Sequence, residues 1–499
     1  MTSSVSTPAH DAAGGARPEE PTFLGRPRWF VALFGTDMWE RFSFYGMTAI
    51  LFLYASEEKS GGGLGLSDAE SARLFGLYMA AIFIASVPGG WLGDRVLGPY
   101  RSILYGGVLI LCGHVSLAVP SNATFALGLL LVAAGTGLIK PNQASMLAAF
   151  YRSEQRAERD AGFAIFYMSV QVSALIAPIV VGGLGESVGW HYGFGAAAVG
   201  MALGLVQYVR GSVYFGPVGR EPERRAQRAQ LLRVRRGAVA VVAVLTVGYG
   251  ADVLAGTFRV EHALGLVGLL SLGLPVYFFR RLLRDPAVGE RDRGRVRAYI
   301  WFFLAGALFW ALFIQAGAVF SQFAKKSTDR TFGDLTVPAS WFQSGIPLFV
   351  LLAAPLFAWI WVRAGDALPT AAKFAIGMGM MSGAYLLAAI AASFASDGQR
   401  VSPLWLIAVF AMMACSELSF APVGMSATTE IAPPTFVSQM VGLFWLAGAL
   451  GGGIGGALLS PPADQVPGSG WFLGVGSAAL AAGIALALFR RSLTRRLGV

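Results

Sequence analysis

The sequence predicts an all-helical protein that crosses a membrane many times. Of its 499 residues, 55% are hydrophobic and only 13% are charged, and the mean hydropathy is +0.60. Soluble domains carry roughly a quarter charged residues, so this composition excludes an ordinary soluble protein. Apolar runs of about 20 residues, the length that crosses a bilayer, recur along the chain. Such runs must be helices, because a helix satisfies its own backbone polar groups in lipid.

About fourteen membrane-spanning helices are predicted, in three sets. Six come first, a pair follows, and six more complete the chain. The polar segment before them is predicted to be a disordered cytoplasmic tail without a cleavable signal peptide. The predicted spans are residues 29–54, 72–92, 102–119, 125–148, 161–184, 191–214, 238–258, 262–279, 298–323, 338–361, 373–392, 403–425, 436–459 and 471–489.

Six plus two plus six helices suggest two related halves with an insertion between them. The predicted division is a tail at 1–28, a six-helix bundle at 29–215, a basic linker with two inserted helices at 216–297, a second six-helix bundle at 298–489 and a cytoplasmic tail at 490–499. Arginines are dense at 210–236 and 280–297. Lys and Arg accumulate on the cytoplasmic side of membrane proteins, so both termini are predicted to be cytoplasmic.

The net charge of +10 is then explained by this topology and by attraction to anionic lipid headgroups. The expected location is the cell membrane, the inner membrane of a bacterium, and no nucleic-acid partner is expected. Cys112 and Cys415 both fall in apolar stretches, so neither a disulfide framework nor a cysteine metal site is expected.

The end of the second span resembles the motif found at the inner end of helix two in the major facilitator superfamily. It contains Gly90, Asp94 and Arg95, and a fainter copy ends near Asp366 in the second half. Glycines there let helices pack closely, and the acid can face a helix N-terminus. The three residues are predicted to form a gating motif, the alternative being a plain loop acid followed by basic residues.

The first span carries three charges on one face. At about 100° per residue, Asp37, Glu40, Arg41, Tyr45 and Thr48 fall within an arc of roughly 140°. An unpaired charge at membrane depth costs at least about 2.5–3.5 kcal/mol, so this face should line a cavity or the bundle interior. The alternative is a buried ion pair that only fixes helix packing.

Lys140 and Glu417 are further ionisable residues within predicted spans. Lys140 precedes Pro141 and needs a carboxylate, for which Glu40 is the predicted partner; alternatively it reaches the inner interface. Glu417 is predicted to be a substrate ligand or a proton carrier. Its alternative is a bond to the helix broken by Pro422.

The segment from Asp37 to Gly46 resembles the ExxERFxYYG motif of the proton-dependent oligopeptide transporters, the peptide transporter family of the major facilitator superfamily. Segments 135–142, 159–175, 193–197, 341–344 and 417–424 resemble further motifs of that family. The resemblance implies a major facilitator fold and proton-coupled uptake of di- and tripeptides by alternating access. It implies proton coupling by Asp37, Glu40, Arg41 and Lys140. The substrate contacts that it implies are Tyr45, Thr48, Lys140, Gln171, Trp310, Gln315, Glu417 and Trp445.

Several positions depart from the family pattern. Thr48 stands where the family carries an arginine for the peptide carboxylate, and Ile314 and Ile346 stand where it carries polar groups. The clamp for the charged ends of a peptide is therefore predicted to be weaker than in a typical member. The other departures are Asp37, Phe44, Gln171, Ala421 and the reversed pair Phe444 and Trp445.

Other functions were weighed against peptide symport. The main alternative is a proton-coupled carrier of the same fold for another small solute: a modified peptide, an amino-acid-like compound or an anion such as nitrate. An enzyme is not expected, because no histidines converge on a metal site or triad, and no G-x-x-x-x-G-K-[ST] motif indicates an ATP-driven pump. No cofactor is expected; the expected partners are a short peptide, protons and the lipid bilayer, and the expected state is a monomer.

Overall fold

The computed structural model describes residues 26–497 except 152–154, 223–224, 257–259, 287, 396–398, 434–435 and 460–466. The described chain is almost entirely helical. The predicted tail at 1–28 lies outside it apart from its last three residues, and most of the predicted tail at 490–499 continues the last helix. The helices are α1 (Arg28–Ser56), α2 (Asp68–Leu92), α3 (Pro99–Leu117), α4 (Asn122–Ala149), α5 (Arg156–Ala177), α6 (Gly183–Ser187), α7 (Trp190–Gly211), α8 (Arg228–Leu254), α9 (Val260–Arg284), α10 (Glu290–Phe313), α11 (Val319–Lys326), α12 (Gly345–Ala364), α13 (Thr370–Phe394), α14 (Pro403–Ile431), α15 (Val437–Leu458) and α16 (Ser469–Leu497).

The all-helical class is confirmed. Each of the fourteen predicted spans coincides with a helix of 19 residues or more. Within the described residues, 11 helical segments are long and apolar enough to cross a membrane. The only sheet in the described part is a two-stranded antiparallel hairpin of β1 (Thr331–Phe332) and β2 (Leu335–Thr336).

Two predicted spans are interrupted. The fifth passes from α5 into a π-helical segment, Pro178–Gly182, before α6. Proline lacks an N–H and disturbs the regular hydrogen-bond ladder, which accounts for the break at this point. The span predicted at 298–323 is likewise divided. Helix α10 ends at Phe313, a 3-10 segment follows at Ile314–Gly317, and the chain continues as α11.

The long helices form two bundles. In the first, α1 packs on α5 and α7, and α4 packs on α2 and α3. In the second, α13 packs on α14 and α16, and α10 packs on α15. Contacts of α2 with α15 and of α5 with α12 join the bundles. The inserted helix α9 lies against α2, α10 and α15, whereas most described side chains of α8 are exposed.

Glycines allow α2 and α4 to approach closely at the end of α2. A Cβ at Gly89 would lie 2.1 Å from the carbonyl oxygen of Gly137, and one at Gly93 would overlap the Asn142 side chain. Asn142 Nδ2 also donates to the Gly89 carbonyl at 3.1 Å. At Gly90, in contrast, the nearest atom is 3.4 Å away. The close packing expected of the motif is provided by Gly93, together with Gly89 just before the motif, whereas Gly90 makes only ordinary contacts.

We expect Gly89→Ala to lower the free energy of unfolding by about 1–3 kcal/mol, because the new methyl group meets a backbone carbonyl that cannot move aside. Gly90→Ala is the matched control, since its methyl group meets only ordinary contacts. Thermal unfolding of both purified variants provides the measurement. Equal midpoints for the two variants would contradict the assigned packing.

Candidate functional site

The charged face of α1 is buried against α5. Asp37, Glu40 and Arg41 are all almost inaccessible to solvent. Arg41 Nε lies 3.5 Å from Asp37 Oδ1 and 3.3 Å from Glu40 Oε2, so one guanidinium is paired with two carboxylates. Ser169 Oγ on α5 donates to Asp37 Oδ2 at 2.5 Å. Asp37 is therefore held by a neighbouring helix, whereas Glu40 depends on Arg41.

The carboxylate of Glu40 is poorly satisfied. Neither of its oxygens accepts a hydrogen bond from any residue that the structure describes. Its exposed fraction is 0%. A buried acid that has one ion pair and lacks hydrogen bonds gains strongly from a proton or a new donor. Of the two acids on this face, Glu40 therefore receives the weaker support from its surroundings.

Lys140 does not form the predicted ion pair with Glu40. Among the ion pairs of the described residues, none within 4.0 Å involves Lys140, although its charge acts on Asp37 and Glu40 from farther away. The ammonium instead lies 4.9 Å from the ring centroid of Phe83, 5.4 Å from that of Phe44 and 5.9 Å from that of Trp445. Rings at these distances stabilise a cation.

The three rings, which we call the aromatic cage, join the two bundles. Phe44 and Phe83 belong to α1 and α2 of the first bundle, and Trp445 belongs to α15 of the second. The Phe83 and Trp445 rings stack, with centroids 6.1 Å apart and an interplanar angle of 13°. Sequence reasoning looked for a carboxylate and so missed the cage, because ring faces bind cations without any charge pattern in the sequence.

Glu417 on α14 lies across from the first bundle. It is half-buried, and its charge acts on Tyr45 and Tyr167. Tyr167 is 48% exposed in the middle of α5, so the space beside it is open. Gln171 Nε2 donates to the Tyr167 hydroxyl at 2.8 Å. Tyr167 and Ser169 were not singled out in the sequence, although both lie in the segment that resembles the family's helix-five signature.

The remaining predicted contacts divide into two sets. Trp310 lies beside the cage, 6.0 Å from the Phe83 centroid, with its indole nitrogen unpaired among the described residues. Gln315 is buried next to Gly455 in the turn after α10. Thr48 is also buried, and its hydroxyl donates to the carbonyls of its own helix at 3.0 and 3.1 Å. Thr48 and Gln315 are packed within the protein, whereas Trp310 adjoins the centre.

The motif at the end of α2 is distant from this centre. Gly93–Leu97 forms a π-helical segment, in which Asp94 is exposed. The carbonyl of Arg95 accepts a hydrogen bond from the backbone N–H of Ala226 at 2.9 Å. Through this bond the motif contacts the linker that leads to the inserted helices. We call this end of the molecule, where α1 begins, the Arg28 end, and the opposite end the Glu57 end.

Polar contacts join the two bundles at the Glu57 end, and we call them the belt. Lys325 Nζ lies 2.5 Å from Glu57 Oε2. Lys326 is paired with Asp68, and Gln322 Nε2 donates to the same carboxylate at 2.6 Å. Each pair joins the end of α11 to the first bundle, so the bundles are closed together here.

Glu186 anchors the other side of the belt. Its two oxygens accept hydrogen bonds from the backbone N–H groups of Ala339 and Ser340, both at 2.8 Å. Arg330 lies 3.9 Å away; burial lowers the pKa of Arg330, and Glu186 opposes that shift. Three further side chains of the second bundle donate hydrogen bonds to backbone carbonyls of the first. Trp341 donates to Ile179 at 3.0 Å, Gln343 to Ala49 at 3.2 Å and Ser344 to Leu175 at 2.7 Å.

The model of the POT family matches residues 100–472. An uncharacterised transporter of Bacillus subtilis, YclF, is 34% identical over 91% of this chain and 92% of its own length. A di-/tripeptide transporter of Lactococcus lactis subsp. cremoris is 33% identical over 96% of this chain and 98% of its own length.

A solved structure agrees with the same assignment. The crystal structure of a peptide transporter POT in complex with sulfate matches with a TM-score of 0.90 and 35% identity, covering 96% of this chain and 97% of that chain. The predicted fold, two six-helix bundles with two inserted helices, is confirmed by this match. The chain therefore belongs to the POT family of transporters and is a multi-pass membrane protein with the major facilitator fold.

Proposed function

We propose that this protein takes up di- and tripeptides together with protons by alternating access. One observation carries the proposal: Glu40, which accepts no hydrogen bond from the described residues, lies at a centre between the two bundles together with Lys140 and Glu417, neither of which forms an ion pair with a described residue. Lys140 and Glu417 are complementary to the two charged ends of a peptide. The names of the Lactococcus transporter and of the solved structure support the same substrate class.

In this proposal Glu417 binds the amino terminus of the peptide and Lys140 binds its carboxylate. Leaving the cage for a carboxylate is favourable for Lys140, because a charge-assisted pair is stronger than a contact with ring faces. Tyr45, Gln171, Trp310 and Trp445 contact the body of the substrate. Thr48 and Gln315 act on the substrate site indirectly, because they fix the packing of their helices.

Proton coupling is assigned to the buried face of α1. Glu40 takes up the proton, Asp37 and Arg41 hold its surroundings, and Lys140 couples them to the substrate. When Lys140 moves toward a carboxylate, its charge acts less strongly on Glu40, so the proton affinity of Glu40 changes with substrate occupancy. By linkage, protonation changes substrate affinity by the same factor.

We place both termini and the Arg28 end in the cytoplasm, because the arginine-rich segments gather there. The belt then closes the extracellular side, so the described conformation faces inward. The bundles correspond to residues 29–215 and 298–489, and the hinge-like motif at Gly90, Asp94 and Arg95 lies on the cytoplasmic side. We propose that the protein acts in the cell membrane as a monomer and catalyses no chemical reaction.

The proposal is tested by uptake of labelled dialanine into proteoliposomes with an imposed inward proton gradient. We expect accumulation above equilibrium that collapses on addition of a protonophore. Liposomes without protein give the background, and competition by amino acids, nitrate and tripeptides tests the alternative solutes. Uptake that is the same with and without the proton gradient would refute peptide symport. Competition by nitrate and not by peptides would also refute it.

The position of Thr48 yields a prediction about affinity. Thr48→Arg should raise the affinity for dialanine by about one to two decades, because it adds a charge-assisted bond to the peptide carboxylate. Thr48→Val is the control and should leave affinity unchanged, since the hydroxyl is already bonded to its own helix. Calorimetry of dialanine binding measures both. Tight wild-type binding with no gain in the arginine variant defeats the prediction.

A further inference from the structure

The inserted helix α9 carries a groove that lies outside both the contacts between the bundles and the transport centre. Its volume is about 360 Å³, and it is lined by Gly273, Val276, Tyr277, Arg280, Arg281 and Arg284. These residues recur every three to four positions, so they share one helix face. The opposite face, with Ser271, Phe279 and Leu282, is buried against the rest of the protein.

The groove is basic at one end and apolar at the other. Arg280, Arg281 and Arg284 occupy the last turns of α9 and are exposed. None of them forms an ion pair or a side-chain hydrogen bond with any described residue. Toward the middle of the helix the same surface continues through exposed Val276 and Leu269. A ligand that matches this surface carries negative charge at one end and a long apolar body.

We propose that this groove binds an anionic phospholipid of the cytoplasmic leaflet. Arginine guanidinium groups bind phosphate oxygens in bidentate fashion, and three unpaired guanidinium groups match one such headgroup. The acyl chains lie along Val276 and Leu269. Tyr277 sits where the two regions meet, as tyrosines do at membrane interfaces. Basic pockets beside membrane helices on the cytoplasmic side are suited to such headgroups.

The absence of a side chain at Gly273 keeps the groove open. A Cβ built there meets no atom within 4 Å, and the same holds for Gly268 on the same helix. Gly273→Leu therefore fills the groove without changing charge, and Gly268→Leu is its matched control. Likewise, Arg233, Arg235 and Arg236 on α8 are exposed arginines outside the groove. In the α9 triple variant, glutamine replaces Arg280, Arg281 and Arg284. In the α8 triple variant, glutamine replaces the three α8 arginines, so both variants lose the same charge.

The experiment reconstitutes each protein in nanodiscs of mixed phosphatidylglycerol and phosphatidylcholine and measures the retained lipid by native mass spectrometry. We expect the wild type to retain phosphatidylglycerol preferentially and the α9 triple variant to lose about one to two decades of that preference. Gly273→Leu should also reduce it, whereas the α8 triple variant and Gly268→Leu should retain it.

Three outcomes would overturn the proposal. The first is the absence of a phosphatidylglycerol preference in the wild type, and the second is an equal loss in the α8 and α9 triple variants, which indicates diffuse attraction. The third is displacement of the lipid by millimolar inorganic phosphate, which identifies the phosphate group alone as the ligand. Because retained lipid is measured directly, the result is independent of whether the protein transports peptides.

Discussion

Glu40→Gln is expected to abolish uphill accumulation of peptide driven by a proton gradient. Glutamine keeps the shape of the side chain but cannot exchange a proton, so the gradient loses its connection to the transport cycle. The replacement removes one of the two carboxylates paired with Arg41, but Asp37, whose Oδ1 lies 3.5 Å from Arg41 Nε, continues to neutralise that guanidinium. Folding and the exchange of peptide for peptide should therefore survive.

Two assays on the same proteoliposomes separate these effects. Gradient-driven uptake should fall to the level of empty liposomes, while counterflow with labelled dialanine stays within about twofold of the wild type. Glu58→Gln, which changes an exposed carboxylate just beyond α1, is the control and should retain both activities. Normal uphill accumulation by Glu40→Gln would remove Glu40 from the coupling mechanism.

The second large effect is expected at the two isolated charges. Glu417→Gln should weaken binding of peptides with a free amino terminus by about one to two decades and leave amino-acetylated peptides unaffected. Lys140→Ala should show the opposite pattern, with weakened binding of free-carboxyl peptides and little change for amidated ones. The reason is that each replacement removes one charge-assisted bond, and blocking the matching peptide end removes the same bond.

Matched charge changes elsewhere in the second bundle provide the controls. Glu430→Gln alters an exposed acid on α14, the helix of Glu417. Lys373→Ala alters a lysine whose ammonium also lies over a ring, 5.4 Å from the centroid of Trp361. Neither should change the preference for blocked or free peptides, as measured by competition for labelled dialanine. If Glu417→Gln loses equal affinity for free and acetylated peptides, the amino-terminus assignment is wrong.

The sequence correctly predicted the parts of the structure that the surrounding lipid determines. Apolar length predicts the long helices, because lipid leaves the backbone no alternative. A charge in a span is equally informative, since its unfavourable exposure to lipid predicts a place in a cavity or in the bundle interior; Glu40 and Arg41 indeed lie on the buried face of α1. The breaks at Pro178 and after Phe313 were missed, because apolar length does not distinguish one helix from two.

Features that depend on how two helices meet were not predicted. An acid, Glu40, was predicted to be the partner of Lys140, yet the rings that surround the lysine come from three other helices. Likewise, a Cβ would overlap α4 at Gly89 but not at Gly90, a difference between neighbouring positions that the motif alone does not specify. The ion pairs of the belt, such as Glu57 with Lys325, were not predicted, because only the closed bundles bring these residues together.

The belt makes the two sides of the membrane kinetically unequal. In the proposed orientation, a solute from outside reaches the centre only when the belt opens. Its arrival rate then saturates at the opening rate, however concentrated the solute. The belt's lysine–acid pairs, Lys325 with Glu57 and Lys326 with Asp68, are partly accessible to solvent, and dissolved ions screen such pairs. External ionic strength therefore acts on turnover from that side without touching the binding centre.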